Sequence, residues 1–157
     1  MTDPRCARRE PRWSPWGELA RHPDIWVHRC VLDEGRGWWC PAERVILLDA
    51  RLDRRTARCV LAHELGHALL GHSGAPAFGD AAWLASRQEA QADRWAARRL
   101  LAPRDVGRAL AAHPTDVEAA ALELGVTSQV LRTWWRHATA SERAGLDRRS
   151  ASADPAA

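Results

Sequence analysis

The chain has 157 residues, of which 46% are hydrophobic and 27% charged, with a formal net charge of +3 at pH 7; these values suit one soluble globular domain with a buried core. All 23 basic residues are arginine, which we interpret as G+C-rich coding, so the mild net charge does not by itself indicate a nucleic-acid partner. No run of 18 apolar residues is present to span a membrane, and the polar N-terminus lacks the apolar centre of a secretory signal, so we expect a cytoplasmic protein.

The first part of the chain predicts an arm followed by a small sheet. Residues 1–22 show no clear periodicity, and we expect an irregular arm with at most one short helix near residues 16–21. IWVHRCVL (25–32) alternates apolar and polar residues as a half-buried strand does. DEGRG (33–37) is a turn, after which WWC leads to a second strand over ERVILLDA, residues 43–50. A small antiparallel sheet is the simplest interpretation.

Two of the four cysteines lie symmetrically about this turn. Cys30 and Cys40 would face each other across a hairpin, where a disulfide is geometrically conceivable. Two reduced, half-buried thiols are the favoured prediction, because cytoplasmic cysteines are normally reduced.

The middle of the chain predicts two long helices. Asp53 can cap a helix over residues 54–71, and Asp80 can cap a second one over residues 81–101. The Gly- and Pro-containing stretch 71–80 between them predicts a loop.

The C-terminal part predicts shorter helices and a polar tail. Asp105 can start a short helix over residues 106–112, and residues 115–138 predict two helices around Gly125. The segment from residue 141 is small and polar, and we expect it to be disordered.

The first long helix carries the pattern H-E-x-x-H at His63, Glu64 and His67. Residues four apart on a helix differ by about 40° in azimuth, so both imidazoles can reach one metal ion. Glu64 lies about 100° from His63, where its carboxylate can deprotonate water beside the metal without being a ligand. The alternative is two packed histidines beside an exposed glutamate.

A catalytic zinc site needs a third protein ligand. His72 lies five residues after His67, about 140° around the helix, so it points away from the metal. It is then a histidine at the helix C-terminus or a contact for the substrate or oxyanion. Cys59 lies one turn before His63, but one tetrahedral ion cannot span about 12 Å of helix axis, so we expect Cys59 in the core.

A carboxylate on the second helix fits the third position better. Glu89 and Asp93 are four residues apart on one helical face. Glu89 can bind the metal, while Asp93 accepts the free ring N–H of a ligand histidine. The alternatives are a solvated acidic pair, or ion pairs with Arg94 and Arg98. Small residues favour close packing of this helix on the first: Ala90, Ala92, Ala96 and Ala97.

Three stretches together resemble the ImmA/IrrE family of zinc metallopeptidases: LAHELGHALLGH (61–72), EAQADRWAARRLLAP (89–103) and the lead-in HPDIWVHRCVLDEGRGWWCPAERVILLDARLDRR (22–55). The resemblance implies a gluzincin-like site with one zinc ion on His63, His67 and Glu89 and with Glu64 as catalytic base. It also implies a cytoplasmic protease that cleaves or inactivates helix-turn-helix repressors of phages, mobile elements or stress responses. The chain has no tyrosine, so another group must stabilise an oxyanion; the candidates are His72, His113 and Arg99.

The segment ALELGVTSQVLRTWW raises a different function. Ala121, Gly125 and Leu131 occupy positions that resemble a helix-turn-helix, and Arg132 and Arg136 can meet phosphates. The alternatives are simple packing or docking of a repressor. A DNA-binding regulator that uses residues 115–138, with a structural or vestigial metal site, is therefore the second functional hypothesis. A non-catalytic, zinc-stabilised interaction module is the third.

The predicted fold is α+β: a small antiparallel sheet on the H-E-x-x-H helix, a second ligand-bearing helix, and a helix-turn-helix-like C-terminal unit. The predicted segments are an irregular arm (1–22), a zincin-like metallopeptidase domain (23–113), a C-terminal helical pair (114–140) and a disordered tail (141–157).

Overall fold

The computed structural model describes residues 13–73 and 82–151, with the backbone alone for the last five. Within these ranges the chain forms seven helices and three strands: α1 (Pro15–Leu19), β1 (Trp26–Cys30), β2 (Gly37–Cys40), β3 (Val45–Asp49), α2 (Arg54–Leu69), α3 (Ala82–Leu100), α4 (Pro103–Ala112), α5 (Val117–Leu124), α6 (Ser128–Arg136) and α7 (Ala140–Ala151). The predicted α+β class is confirmed. None of these helices has the length and apolar character needed to cross a membrane. Predictions on the beginning of the arm, on the capping Asp80 and on the last six residues lie outside the described residues.

The sheet is mixed, and the prediction of a wholly antiparallel sheet is wrong. Its strand order is β1-β3-β2, with β1 parallel to β3 and β2 antiparallel to β3. WWC belongs to a strand of its own, so the chain reverses twice between β1 and β3, and these two strands run in the same direction. β3 is the central strand, and its Ile46 and Leu48 are both 0% exposed.

This topology separates the two cysteines that a simple hairpin would have paired. Cys30 stands opposite Asp49 on one edge of β3, and Cys40 stands opposite Val45 on the other. Both thiols are free, because a whole strand lies between them.

Helix α2 begins where the sequence predicts and supports the sheet. The carboxylate of Asp53 accepts hydrogen bonds from the backbone N–H groups of Arg55 and Thr56, which would otherwise lack partners in the first turn. Leu61 and Leu65, both 0% exposed, pack against Trp39 and Ile46 of the sheet. One face of α2 is thereby held under the strands.

The C-terminal helices share one buried cluster with residues of α2 and α3. Gly125 ends α5 with φ +67°, a left-handed conformation that glycine adopts easily, so the predicted helix pair around it is confirmed. Helix α4 begins at Pro103, earlier than predicted, because proline suits the first helical turn. Trp134 of α6, 0% exposed, joins a cluster that includes Ala62 of α2 and Ala97 of α3. The boundaries of the predicted domain segments stay a prediction.

Residues 140–151 are helical, so the predicted disorder is wrong for this part of the tail. Thr139 and Glu142 form a reciprocal cap: the Glu142 N–H donates to Thr139 Oγ1 at 3.2 Å, and the Thr139 N–H donates to Glu142 Oε2 at 2.7 Å. Arg98 Nη1 on α3 donates to Glu142 Oε1 at 2.6 Å, and Leu146 is 7% exposed in the core. The capping pattern T-x-x-E is present in the sequence. Leu146 is the apolar side chain that fixes this helix to the core.

Candidate metal centre

Close contact between α2 and α3 brings the two motif-bearing segments together. A methyl group added at Gly66 would lie 3.2 Å from the Cα and from the carbonyl oxygen of Ala92, and Ala92 is 0% exposed. The backbones therefore approach as closely as side chains allow. Glu89 lies one turn before this contact on α3 and consequently reaches the two histidines of α2.

Three ligand atoms converge on one point. His67 Nε2 lies 3.0 Å from His63 Nε2, and the Glu89 carboxylate lies 3.1 Å from His63 Nε2 and 3.3 Å from His67 Nε2. Two ligands bound tetrahedrally at zinc-like distances are about 3.3 Å apart. The spacing of His63, His67 and Glu89 therefore fits one ion, and these three form the group in the described residues that could hold a metal.

Asp93 accepts the other ring N–H of His63. Its Oδ1 lies 2.9 Å from His63 Nδ1, so the lone pair of His63 Nε2 faces the ligand triangle, as the sequence predicts. Desolvation lowers the pKa of His63, but the hydrogen bonds to Asp93 and Glu89 outweigh it and raise that pKa to about 10. A proton therefore competes with a metal ion for Nε2 of His63.

His72 lies behind His67 and outside the ligand triangle. Its Nδ1 is 3.0 Å from His67 Nδ1, its Nε2 is 3.1 Å from Gln91 Oε1, and its side chain is buried. Burial lowers the pKa of His72, which favours the neutral ring. Gly71, with φ +70°, ends the helical path and turns His72 back toward α2. This position does not suit the contact with substrate or oxyanion considered from the sequence, and the role of Gln91 was missed entirely.

The hydrogen bonds made by the other ring nitrogens direct both Nε2 atoms of His63 and His67 into the triangle. Asp93 takes the Nδ1 proton of His63, and His72 occupies Nδ1 of His67. Without a metal, the raised pKa of His63 keeps a proton on its Nε2 beside Glu89, so the two Nε2 atoms and the carboxylate converge around one exchangeable proton. A bound divalent cation satisfies all of them at once.

Glu64 lies beside the triangle and under β2. A methyl group added at Gly37 would lie 3.0 Å from Glu64 Oε1 and 2.5 Å from Val60 Cγ1, so only glycine leaves room for this carboxylate. The pKa of Glu64 is raised, because the effect of burial exceeds the lowering by the two histidines and by a backbone hydrogen bond from Trp39. Glu64 as a whole residue is 7% exposed and is not part of the ligand triangle. The need for Gly37 was missed in the sequence, where it read as the end of a turn.

A cleft of about 390 Å³ opens over the triangle. Its walls come from β2, α2, α3 and α6, and the residues lining it are Arg36, Gly37, Thr56, Cys59, Val60, His63, Glu64, Glu89, Asp93, Ala96, Thr127, Gln129, Val130 and Thr133. Cys59 is buried as expected, and burial raises the pKa of its thiol. The contribution of α6 was not predicted. A second concavity of about 440 Å³ lies at the start of α2, away from the metal ligands.

The oxyanion candidates proposed from the sequence lie elsewhere. His113 pairs with Glu123 at 3.2 Å, and the guanidinium of Arg99 stacks over Trp95 with 5.2 Å to the ring centroid. Neither lines the cleft, whereas Arg36 does. Because Arg36 sits in a turn, sequence reasoning had no reason to place it near the histidines.

Comparison with known families agrees with the motifs and with the geometry. The profile of the peptidase M78 family, described as the IrrE N-terminal-like domain, matches residues 21–134. That span holds all three candidate ligands, Glu64 and the α6 wall. No curated protein and no solved structure gives a significant match. The chain therefore belongs to the IrrE-like metallopeptidase family that its motifs indicate.

Proposed function

We propose that this chain is a zinc-dependent endopeptidase that hydrolyses a specific protein partner. The observation that carries the proposal is the triangle of His63, His67 and Glu89, with ligand atoms 3.0–3.3 Å apart, beside an unligated and buried Glu64. Three protein ligands and one position open to the cleft are typical of catalytic zinc, whereas structural zinc sites are closed by four.

The mechanism divides between the metal site and Glu64. His63, His67 and Glu89 would hold the zinc ion, which when bound would supply Lewis acidity toward water and toward a peptide carbonyl. Glu64 accepts a proton from the attacking water and returns it to the leaving amine nitrogen. The raised pKa of Glu64 brings it nearer to the operating pH, where a group that must both accept and donate a proton is most effective. Arg36, in the cleft lining, is the cation proposed to face the developing oxyanion.

The α6 side of the cleft suits uncharged side chains of a polypeptide substrate. Thr127, Gln129 and Val130 of the α6 region form one wall, and the edge strand β2 forms the other. Neutral polar groups and one apolar side chain provide hydrogen bonds and contact area without demanding a charged partner.

As the physiological partner we propose a helix-turn-helix repressor of a phage, a mobile element or a stress response. The support is the family resemblance of the motifs at 61–72 and 89–103 and the family match. A repressor encoded beside this gene is the first substrate to test.

The DNA-binding hypothesis has less support from the position of α6. A recognition helix enters a groove with its N-terminal residues, but here the start of α6 lines the metal cleft. Arg132 and Arg136 are exposed and remain the groups that would meet phosphates. The hypotheses separate experimentally: DNA binding that falls with salt and survives chelation supports the regulator, whereas cleavage abolished by chelation supports the peptidase.

The decisive variant is Glu64→Gln. We expect it to retain one zinc per chain and to cleave the repressor at least about 100-fold more slowly, because general acid–base catalysis contributes 10² or more. Metal analysis and intact-mass analysis of the cleavage products measure the two effects separately. The control Glu118→Gln changes a surface carboxylate paired with Arg55 and should cleave normally. Full cleavage by Glu64→Gln refutes the role of Glu64, and full zinc content in His63→Ala refutes ligation.

A further inference from the structure

A chain of hydrogen bonds runs behind the second candidate ligand. His67 Nδ1 lies 3.0 Å from His72 Nδ1, and His72 Nε2 lies 3.1 Å from Gln91 Oε1 on α3. His67 is 7% and His72 6% exposed, so no bulk water competes for these nitrogens.

The chemistry of the three groups sets the direction of this chain. The amide oxygen of Gln91 can only accept, so His72 Nε2 carries a proton and donates it. A neutral imidazole then has Nδ1 as its acceptor, so His67 must donate through its own Nδ1. The remaining lone pair of His67 is on Nε2, the atom that lies 3.3 Å from Glu89 and 3.0 Å from His63 Nε2.

We propose that His72 is a positioning residue that holds His67 in the tautomer and ring orientation needed to bind the metal, with Gln91 as the anchor of His72. The inference rests on the proposed function, because it takes His67 as a metal ligand. It assigns to His67 the support that Asp93 gives to His63. One ligand is thus oriented by a carboxylate and the other by a neutral imidazole–amide pair.

The backbone places His72 for this role. The His72 N–H donates to the His67 carbonyl at 3.0 Å, and Gly71 takes φ +70°. A methyl group at Gly71 would meet no atom within 4 Å, so the glycine is required by its backbone conformation rather than by space. The turn after the helix therefore folds His72 back onto the ligand one turn earlier.

The orientation of His67 should raise metal affinity without adding a ligand. Replacing groups that orient metal ligands typically costs 10–100-fold in affinity. We therefore expect His72→Leu, which has no acceptor, to weaken zinc binding at least about tenfold. His72→Asn should stay within a few-fold of the original protein, because its Oδ1 can accept from His67 Nδ1 where the imidazole nitrogen did.

The experiment is competition for Zn²⁺ with a chromophoric chelator on the full chain at one pH, together with melting of the metal-free proteins. His28→Leu is the control, because His28 is an exposed residue of β1 and should keep full affinity. Gln91→Leu, changed at the exposed end of the chain of bonds, should weaken zinc binding by a few-fold with little change in melting. It keeps the test valid if His72→Leu does not fold.

The outcomes separate the two proposals. Weak binding by His72→Leu with rescue by His72→Asn supports the positioning role, since a packing role alone would not be restored by the smaller polar side chain. Full affinity of His72→Leu or of Gln91→Leu, while His63→Ala loses zinc, overturns this inference and leaves the metal site intact. Unchanged zinc content in His63→Ala overturns the metal site itself.

Discussion

The contact between Gly66 and Ala92 predicts that Gly66→Ala weakens zinc binding. An added methyl group would lie 3.2 Å from Ala92 Cα and 3.4 Å from Ala92 Cβ, whereas carbon atoms at optimal separation are about 3.5–4.0 Å apart. To relieve this contact, α3 must move away from α2 by at least about 0.3 Å. The distance between the added methyl carbon and Ala92 Cα then reaches the lower limit of that range. Glu89 is one turn from this contact, so the ligand triangle widens by a similar amount, which exceeds the tolerance of about 0.2 Å on metal–ligand distances.

Two opposing effects decide the stability of Gly66→Ala. Alanine in place of glycine within a helix gains up to about 1 kcal/mol, whereas overpacking a tight interface costs about 1–3 kcal/mol. We therefore expect the metal-free variant to be less stable by up to about 2 kcal/mol, with zinc affinity reduced roughly tenfold, in line with disturbed ligand support. Thermal unfolding without metal and chelator competition measure the two quantities.

The matched control is Gly17→Ala in α1. A methyl group there would lie 3.8 Å from Ser14 Cβ, an ordinary contact, so zinc affinity should be unchanged. If Gly66→Ala binds zinc as tightly as the original protein and melts at a higher temperature, the close approach of α2 and α3 does not set the ligand geometry, and the reasoning fails.

Three further predictions test the cleft, the support of the ligands and the last helix. Val130→Arg should obstruct the cleft wall and lower cleavage at least about tenfold with zinc affinity unchanged, whereas Leu122→Arg at a 64% exposed site should cleave normally; equal cleavage by both would remove α6 from the substrate site. Asp93→Asn keeps an acceptor for the His63 ring but removes the charge, and zinc affinity should fall about tenfold; an unchanged chelator titration would contradict this. The hydrogen bond from Arg98 lowers the pKa of Glu142 to about 2 from 4.5, so its stabilisation is present above pH 4.5 and is lost as the pH falls toward 2. Glu142→Gln should therefore be less stable at neutral pH and match the original protein near pH 2, and a stability difference independent of pH would disprove the linkage.

The sequence predicted the pairs that a single helix holds together. His63 and His67 share a face because they are four residues apart, and the same spacing on α3 predicts Glu89 and Asp93 as a pair. Asp53 as the cap of α2 was predicted for the same local reason, since its partners are two and three residues away. Such features depend on helical geometry alone, which does not change with the rest of the fold.

Features that depend on neighbours distant in sequence were missed or wrong. The direction in which β1 and β3 pair depends on the extra strand formed by WWC, which reverses the chain a second time. The alternation of apolar residues does not indicate which strand lies at the centre of the sheet. The segment from residue 141 was predicted to be disordered from its small, polar composition alone. The helix there is instead held by the ion pair of Glu142 with Arg98 and by burial of Leu146 against other helices.

The sequence by itself determined that this protein carries two imidazoles and a carboxylate on one helix, and a pair of carboxylates four residues apart on the next helix. Only the tertiary structure decided how they act together. The contact at Gly66 places Glu89 within 3.1 Å of His63 Nε2, Gly37 of β2 lies against Glu64, and residues of α6 line one side of the cleft. Gly71 illustrates the physical reason: helical periodicity predicts that His72 points away, but one left-handed residue ends that periodicity and turns the side chain toward His67. Local spacing determines azimuth within an element, whereas packing and backbone reversals determine which elements meet.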